Sequence, residues 1–415
     1  MSKRPSALTN RAQAAMKKIA LSWHYLWSRP LAAALNVLLL SLGLASITFL
    51  LGVSHQINQA FERDLAGIDV VVGAKGSPMQ LILSGVFQLD VPTGNIPLAA
   101  VKALQAHPQV AQVIPISMGD SFRGFRIVGT TLDYLRHYDA QLAQGVLWKS
   151  SMQAVLGARV AQQSGLKVGD TFTGTHGLAA GGHAHGQSPY TVTGILAPNG
   201  SVLDRLVFTP LESVWQVHET DTALDDEDRR VMADEREVTL ALIQYKTPLA
   251  AETFPRFINT TTDLQAAAPA LEITRLLSLV GVGIDVLRAL AGVLLLTAGL
   301  SVFIALWSAV RERRADLALL RMLGAPPRKV AGLLLCEALW LAVLATVLGV
   351  LAGQGLTALL GWALQLEKSV LIGTLSWPVE LISVPVLALG VAVASALLPA
   401  WEAYRVSVFE LLQSW

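Results

Sequence analysis

Four long apolar segments divide the chain, and each is long enough to cross a membrane. A helix rises about 1.5 Å per residue, so about 20 apolar residues span the roughly 30 Å hydrocarbon core of a bilayer. The first segment is interrupted only by Asn36, Ser41, Ser46 and Thr48. The pattern predicts transmembrane helices at residues 31–53, in the later part of 276–310 after a stalk, at 330–356 and at 381–400.

Residues 54–275 have a different pattern, with polar turns and short runs of alternating apolar residues. Alternation at period two predicts β-strands, and helical spacing between them predicts helices. The block is long enough to bury a core of its own. We therefore expect a membrane α-helical protein with four transmembrane helices and a large α+β extracytoplasmic domain inserted between the first two. Predicted strands cover 69–73, 110–116, 125–129, 190–196, 206–209 and 238–245, and predicted helices include 98–106 and 211–217.

The basic residues beside the apolar segments predict the orientation of the chain. Residues 1–30 and the loop 311–329 each carry six Lys or Arg, whereas the short connection 357–380 carries one. By the positive-inside rule, both termini and the loop are cytoplasmic, including the tail 401–415, and residues 54–275 lie outside. Apolar and Trp residues at helical spacing in residues 1–30 predict a cytoplasmic amphipathic helix on the inner membrane surface.

The composition indicates a membrane protein, and the sequence argues against two kinds of activity, nucleic-acid binding and nucleotide hydrolysis. Of the 415 residues 53% are hydrophobic and 15% are charged, well below the roughly 25% of soluble domains. The basic residues lie beside apolar segments and form no separate surface, which argues against nucleic-acid binding. The phosphate-loop spacing GxxxxGK[ST] is absent, so we expect a non-catalytic membrane subunit.

The cytoplasmic loop 311–329 has the pattern of a short amphipathic helix. Gly324, followed by two prolines, predicts its C-terminal end. Two interpretations are open at this point: the loop only sets the topology through its basic residues, or its helix docks a cytoplasmic partner. One face carries Ala315, Ala318, Leu319, Met322 and Leu323, and the other carries Arg313, Arg314, Leu317 and Arg321.

The third apolar segment contains a carboxylate and a pair of spaced glycines. Glu337 lies deep in the segment, where a carboxylate must face protein or a water-filled cavity. We expect it to be a structural hydrogen-bonding group at a helix contact, because the alternative, proton coupling, requires a chain of titratable groups that the sequence lacks nearby. Gly349 and Gly353 form a GxxxG pattern that suits close helix packing and indicates an oligomer face.

A glycine-rich stretch at residues 174–186 contains three of the eight histidines: His176, His183 and His185. His183 and His185 alternate, so an extended backbone would direct both to one side. Three imidazoles are able to hold zinc or copper and leave a fourth position open. The alternative is a surface loop whose histidines bind nothing specific.

Several parts of the chain together resemble a known family. The run RERRADLALLRMLGA at 311–325 is similar to the signature loop of FtsX/MacB/LolE-type permeases, the type VII ABC transporters. Asp316 stands at an acidic position that is usually Glu, and Arg321, Gly324 and Ala325 match the pattern. Residues 155–172 resemble the core of the MacB-type periplasmic domain. The third span is similar through Glu337, Gly349 and Gly353, and the C-terminal tail through Pro399, Ala400, Ala403, Glu410 and Leu412.

The resemblance implies a permease half-unit that pairs with a second copy or a paralogue and with ABC ATP-binding subunits. ATP and Mg would bind to the partner ATPase, and this chain would hold no cofactor, zinc at the histidines being the one candidate exception. Residues 311–325 would form the coupling helix on the ATPase. Its implied contacts are Arg313, Arg314, Asp316, Leu317, Arg321, Met322, Gly324 and Ala325, while Glu337, Gly349 and Gly353 would serve helix packing.

The function implied by the resemblance is mechanotransmission. ATP hydrolysis by the partner would move the periplasmic domain, 54–275, and so export or extract a lipoprotein, lipid-linked or hydrophobic substrate at the inner membrane. A periplasmic or outer-membrane partner and membrane lipids complete the expected contacts. Two alternatives remain open: a transmembrane signalling subunit that activates a cell-wall hydrolase, and a metal-linked transporter.

Overall fold

In the computed structural model of the protein, four long helices contain the four apolar segments. Within the part of the chain that the structure describes, these are the four helices long and apolar enough to cross a membrane. The first three extend beyond their apolar segments at both ends, because the polar residues that flank them are compatible with a helix and introduce no break, whereas the fourth begins two residues after its predicted start and extends only at its C-terminal end. The first helix, for example, continues to Leu65 and stops before Gly67, whose φ is +75°. The four are α1 (Pro30–Leu65), α8 (Pro269–Glu312), α9 (Pro327–Leu366) and α10 (Ser383–Arg405).

The structure describes residues 20–177, 188–222, 232, 235–313, 319, 322–366 and 377–405. The chain divides into two units. The helical unit comprises residues 1–57, 281–362 and 372–415, and the α/β unit comprises residues 58–280 and 363–371.

The helical unit is held together by small and branched apolar side chains. Its buried cluster includes Leu40, Leu44, Ala298, Val302 and Ala345. Hydrogen bonds also join its helices. The hydroxyl of Ser301 donates to Oδ1 of Asn36 at 2.7 Å, and that of Ser395 donates to the carbonyl of Gly299 at 2.8 Å. Apolar packing is therefore supplemented by hydrogen bonds between helices.

The two glycines of the GxxxG pattern pack against α1 of the same chain. A Cβ built on Gly349 would lie 2.7 Å from Cβ of Leu44, and one on Gly353 would lie 2.5 Å from Cβ of Thr48. Both glycines are buried by this contact. The prediction of close helix packing agrees with this geometry. The interpretation of the pair as an oligomer face is wrong, because the first helix of the chain already occupies the surface.

The α/β unit is built on a large mixed sheet. Among the described residues eleven strands join it. Nine of them neighbour one another in the order β13-β1-β12-β3-β4-β10-β6-β9-β5, while β7 pairs with β9 and β8 pairs with β3. Strands β11 and β2 form a separate sheet of two strands. The strands are β1 (Val70–Ala74), β2 (Ile96–Pro97), β3 (Val110–Phe122), β4 (Phe125–Thr130), β5 (Leu142–Gly145), β6 (Gln153–Leu156), β7 (Thr171–Phe172), β8 (Thr175–His176), β9 (Tyr190–Leu196), β10 (Leu206–Pro210), β11 (Glu237–Val238), β12 (Leu240–Tyr245) and β13 (Leu264–Ala267).

Helices cover the sheet, so its central strands are buried on both faces. Val71 belongs to one core cluster, whereas its neighbours Val70 and Val72 belong to another. A strand buried on both sides reads as a continuous apolar run, which explains the three successive valines. The helices of this unit are α2 (Pro78–Gly85), α3 (Leu98–Gln105), α4 (Leu132–His137), α5 (Ala158–Ser164), α6 (Leu211–Thr222) and α7 (Ala250–Thr261).

The structure confirms the predicted strands, with changed ends. Residues 190–196 coincide with β9, whereas β3 continues to Phe122, beyond the predicted end at residue 116. The prediction stopped early because Gly119 and Asp120 interrupt the alternation. They form a β-bulge, since Met118 pairs with Val128 and Ser121 with Arg126, which leaves two residues opposite one.

Candidate functional site

The loop between α8 and α9 lies within the predicted range 311–329 and is shorter at both ends. Helix α8 ends at Glu312, and α9 begins at Pro327. Gly324 has φ +90°, a conformation that glycine adopts without strain and that ends a helical turn. The amide of Leu323 donates to the carbonyl of Leu319 at 3.0 Å, the four-residue spacing of a helical hydrogen bond.

Arg313 fixes the start of the loop to two other parts of the helical unit. Its guanidinium lies 3.5 Å from Oε1 of Glu337 on α9. It also donates to the hydroxyl of Ser28 and, at 3.2 Å, to the carbonyl of Tyr25. The guanidinium carbon lies 4.7 Å from the centre of the Tyr25 ring, a cation–π distance. One side chain thus joins α8, α9 and the segment that precedes α1.

Burial makes the pair of Arg313 and Glu337 more than a surface contact. The side chains are 17% and 6% exposed, respectively. Removing one partner of a buried ion pair leaves an uncompensated charge and costs about 3–5 kcal/mol. A cavity of about 70 Å³ beside the pair is also lined by Arg29 and Asn36 and otherwise mainly by apolar side chains of the bundle. The pairing agrees with a structural role for Glu337 at a helix contact. The sequence predicts a hydrogen-bonding group, whereas Oε1 forms an ion pair and has no hydrogen-bond partner among the described residues.

Residues 20–29 make further contacts near the pair of Arg313 and Glu337. Arg29 forms an ion pair with Glu312, the last residue of α8. The ring centre of Trp23 lies 4.8 Å from that of Trp340 on α9 in an edge-to-face arrangement. We call this set of contacts around Arg313 the loop anchor: Trp23, Tyr25, Ser28, Arg29, Glu312, Arg313, Glu337 and Trp340.

Beyond the loop anchor, the described part of the loop exposes apolar side chains. Leu319 is 53% exposed, Met322 is 53% exposed and Leu323 is 85% exposed. Exposed large apolar residues next to one another indicate a surface that another molecule covers. We call these three residues the loop tip. Ala325 is half-buried beside it.

The side chain of Arg313 is not oriented as expected for a residue that contacts the ATPase. Its side chain points into the helical unit and is engaged by Glu337, Ser28 and Tyr25, so it supports the loop from within. The predicted contacts Arg314, Asp316, Leu317 and Arg321 lie outside the described residues. Met322 and Gly324 are both exposed, and their role in docking stays a prediction.

Sequence reasoning did not identify Tyr25 and Ser28 as part of this site. Residues 1–30 were expected to contain a surface helix, and residues 20–26 are helical. Tyr25 and Ser28 both precede Arg313 by more than 280 residues in the sequence. The one available signal is the pair of opposite charges, Arg29 and Glu312, at the predicted membrane ends of two helices.

The proposed metal ligands fall largely outside the described residues. His183 and His185 lie in the gap at 178–187, and the backbone of His176 pairs with that of Asp120 at the end of β8. Within the described ranges no group of three His, Cys, Asp or Glu side chains is arranged to hold a metal ion. Zinc binding by the three histidines stays a hypothesis.

Comparisons with known proteins agree with this two-unit architecture. The sequence model of the MacB-like periplasmic core domain matches residues 33–252, more than half of the chain, and that of the FtsX-like permease C-terminal domain matches residues 288–408. No protein with a curated description matches the chain.

Two solved structures are similar to the chain at low identity. The periplasmic region of MacB from Actinobacillus actinomycetemcomitans is 12% identical, with 51% of this chain and 95% of that one covered and a TM-score of 0.33. The extracellular domain of the noncanonic ABC-type transporter YknZ from Gram-positive bacteria is 11% identical, with 48% and 98% covered and a TM-score of 0.30. The two matched domain models together account for both units, and the chain belongs to the FtsX/MacB-type family of ABC transporter permeases.

Proposed function

We propose that this permease transmits ATP hydrolysis by a separate ABC ATP-binding subunit into movement of its extracytoplasmic domain. That movement drives the export or extraction of a lipoprotein, a lipid-linked molecule or another hydrophobic substrate. Permeases of this family work with an ATP-binding subunit and form dimers. The observation that carries the proposal is the loop between α8 and α9, with its buried charged loop anchor and its exposed apolar loop tip.

The loop anchor supports the proposal because a force-transmitting contact needs a stiff base. A loop joined to the bundle only by its two ends would bend when a partner moved. Here Arg313 is held by Glu337 on α9 and by the backbone and side chains of residues 25–28. A push on the loop would therefore reach three segments of the helical unit.

The loop tip supports the proposal because its chemistry fits a protein partner. Leu319, Met322 and Leu323 present apolar surface, and the flanking sequence is rich in arginine. Protein interfaces commonly have an apolar centre and a polar rim. Basic residues alone suffice to determine topology, so the exposed leucines favour a further contact.

The connectivity and the charge distribution support one orientation of the chain. The extracytoplasmic domain lies between α1 and α8 in sequence, so the loop after α8 and the segment before α1 belong on the opposite side of the membrane. The basic residues of both segments support a cytoplasmic placement. We propose an inner-membrane permease with both termini in the cytoplasm, which pairs with a second copy or a paralogue.

The substitution Leu323→Glu tests the docking surface. A carboxylate in the desolvated centre of an interface should weaken the retention of the ATP-binding subunit by about tenfold, because an anchoring apolar residue typically contributes more than about 1.4 kcal/mol. The charge reversals Arg314→Glu and Arg321→Glu should act in the same direction. The measurement is co-purification of the subunit with the permease, together with stimulation of its ATPase rate.

The matched control is Val379→Glu, which places the same charge on an apolar side chain that is 77% exposed in the short 3-10 helix that precedes α10. This variant should retain the ATP-binding subunit. Retention and stimulation unchanged in Leu323→Glu would contradict docking at the loop tip, as would an equal loss in both variants.

A further inference from the structure

A cavity of about 260 Å³ opens in the α/β unit beside the bulge of β3. Its apolar wall consists of Val91, Pro92 and Met118, and its polar wall includes Asp120 and Arg126. The volume is close to that of sites for small organic ligands, which begin at roughly 300 Å³. An apolar wall that faces a few buried polar groups is the usual composition of such sites.

Arg126 is the unusual feature of this cavity. The residue is 6% exposed. Its guanidinium donates to the carbonyl of Asp90 at 2.9 Å and to the sulfur of Met118 at 3.4 Å, and among the described residues it forms no salt bridge. A guanidinium carries five N–H donors, and sulfur is a weak acceptor. A buried cation with this set of partners favours an anionic group beside it.

The electrostatic surroundings of Arg126 agree with that conclusion. Burial lowers the pKa of the guanidinium from its usual value, the nearby Asp90 raises it, and the like charge of Arg205 lowers it again. Loss of water therefore outweighs the compensation that Asp90 provides. A bound anion would supply the missing compensation without the cost of first ordering the arginine.

The walls of the cavity are held in place by the domain itself. The side-chain amide of Gln80 donates to the carbonyl of Val91 at 2.9 Å, and Oδ1 of Asp90 accepts from the amide of Val91 at 2.7 Å. On the other side, the amide of Gly177 donates to the carbonyl of Gly119 at 2.9 Å. A preformed cavity loses little conformational entropy when a ligand binds.

Arg126 limits the charge that the cavity accepts. It compensates one negative charge on a ligand, and a second would stay uncompensated in a buried cavity whose wall also contains Asp120. Carboxylates match the fork of a guanidinium with two parallel hydrogen bonds. The cavity therefore favours a monocarboxylate over a doubly charged phosphate monoester.

We infer that the extracytoplasmic domain binds a small monocarboxylate in this cavity, with the carboxylate on Arg126 and the apolar part of the ligand against Val91, Pro92 and Met118. This site goes beyond the proposed coupling function and does not depend on it. Its chemistry is that of a small amphipathic acid.

Ligand-observed ¹⁹F NMR on the full-length permease in lipid nanodiscs tests the site, with empty nanodiscs subtracted. The probes are 4-fluorobenzoate, its neutral counterpart 4-fluorobenzyl alcohol and the dianion 4-fluorophenyl phosphate. The benzoate should bind at least about tenfold more tightly than the other two, and Arg126→Met should weaken it by about tenfold, as expected for a hydrogen-bonded charge. Arg123→Met, which changes an exposed arginine at the adjacent hairpin, should leave binding unchanged.

A second variant keeps the test decisive if Arg126→Met fails to fold. Val91→Trp changes a side chain that is 62% exposed and should fill the cavity mouth while Arg126 stays in place. It should also weaken the benzoate by about tenfold. The inference is overturned if the wild-type protein binds no benzoate, if Val91→Trp or a folded Arg126→Met binds it as well as wild type does, or if the neutral or the doubly charged probe binds equally.

Discussion

The contact between α1 and α9 in the helical unit and the aromatic core of the α/β unit are packed differently. At the helix contact, backbones approach one another where side chains are missing, at Gly349 and Gly353. In the α/β unit, large side chains such as Tyr134, Phe208 and Phe254 fill both faces of the sheet. The helix contact is therefore sensitive to added atoms, and the aromatic core to atoms removed.

The two units also differ in how they bury charge. Among the described residues, the buried charged side chains of the α/β unit are Asp64, Asp120, Arg126, Asp204, Arg205 and Glu272. In the described part of the helical unit, Glu337 alone is in that class, and it lies at the loop anchor. Burying a carboxylate in a membrane bundle is costly unless it is paired, and Glu337 is paired with Arg313 at the start of the loop.

The largest effect should come from a deletion in the α/β core. Phe208→Ala removes an aromatic ring that is 0% exposed and should lower the free energy of unfolding by about 3–5 kcal/mol. The control Phe257→Ala makes the same change at a ring that is 44% exposed and should cost much less. Denaturant unfolding followed by near-ultraviolet circular dichroism measures both, and equal losses would contradict the assignment of the core.

A smaller loss should follow when one methyl group is added to the helical unit. Gly353→Ala would place a Cβ 2.5 Å from Thr48 and 2.8 Å from the carbonyl oxygen of Ala45, so α1 and α9 must separate. Overpacking of this kind costs about 1–3 kcal/mol. Gly355→Ala is the matched control, because no atom lies within 4 Å of its added methyl. Thermal unfolding in detergent distinguishes them, and a Gly353→Ala protein as stable as the control would show that the helix contact is loose.

The smallest effect concerns pH and lies in the α/β unit. Burial lowers the pKa of His137, which a backbone hydrogen bond to Ala66 and the charge of Asp139 only partly oppose. The unfolded chain, with a histidine pKa of about 6.5, therefore binds protons that the folded chain does not. Stability should be greatest above this pH and should fall as the pH drops from it towards the folded pKa. In His137→Gln the free energy of unfolding should depend less on pH between pH 5 and 8, the range in which histidine titrates. If the variant shows the same pH dependence as the wild type, other groups cause the effect.

The elements that depend on local pattern were predictable, and those that depend on distant contacts were not. Strand β9 follows from its alternation, and the end of the helical turn in the loop between α8 and α9 follows from Gly324 and the prolines after it. The extension of β3 past Gly119 depends on a bulge, which sequence periodicity cannot represent.

The candidate site shows the same division. Its place in the chain follows from the charge pattern and from two flanking apolar segments. The inward orientation of Arg313 does not, because it depends on Tyr25 and Ser28, which tertiary folding brings to it from the other end of the chain. The partner of Gly353 was likewise not predictable, since a GxxxG pattern fits a helix of the same chain as well as one of a second copy.

The most direct test of the coupling account is an ATP-dependent distance between the extracytoplasmic domains of two paired copies. Cys336 is the one cysteine of the chain, so Cys336→Ser with Gln163→Cys gives a single spin label on an exposed helix. Double electron–electron resonance on the assembly with its ATP-binding subunit should show a distance distribution that shifts on trapping with ATP and vanadate, and Leu323→Glu should abolish the shift. An unchanged distribution in the parent protein, while the ATPase turns over, would contradict mechanical coupling.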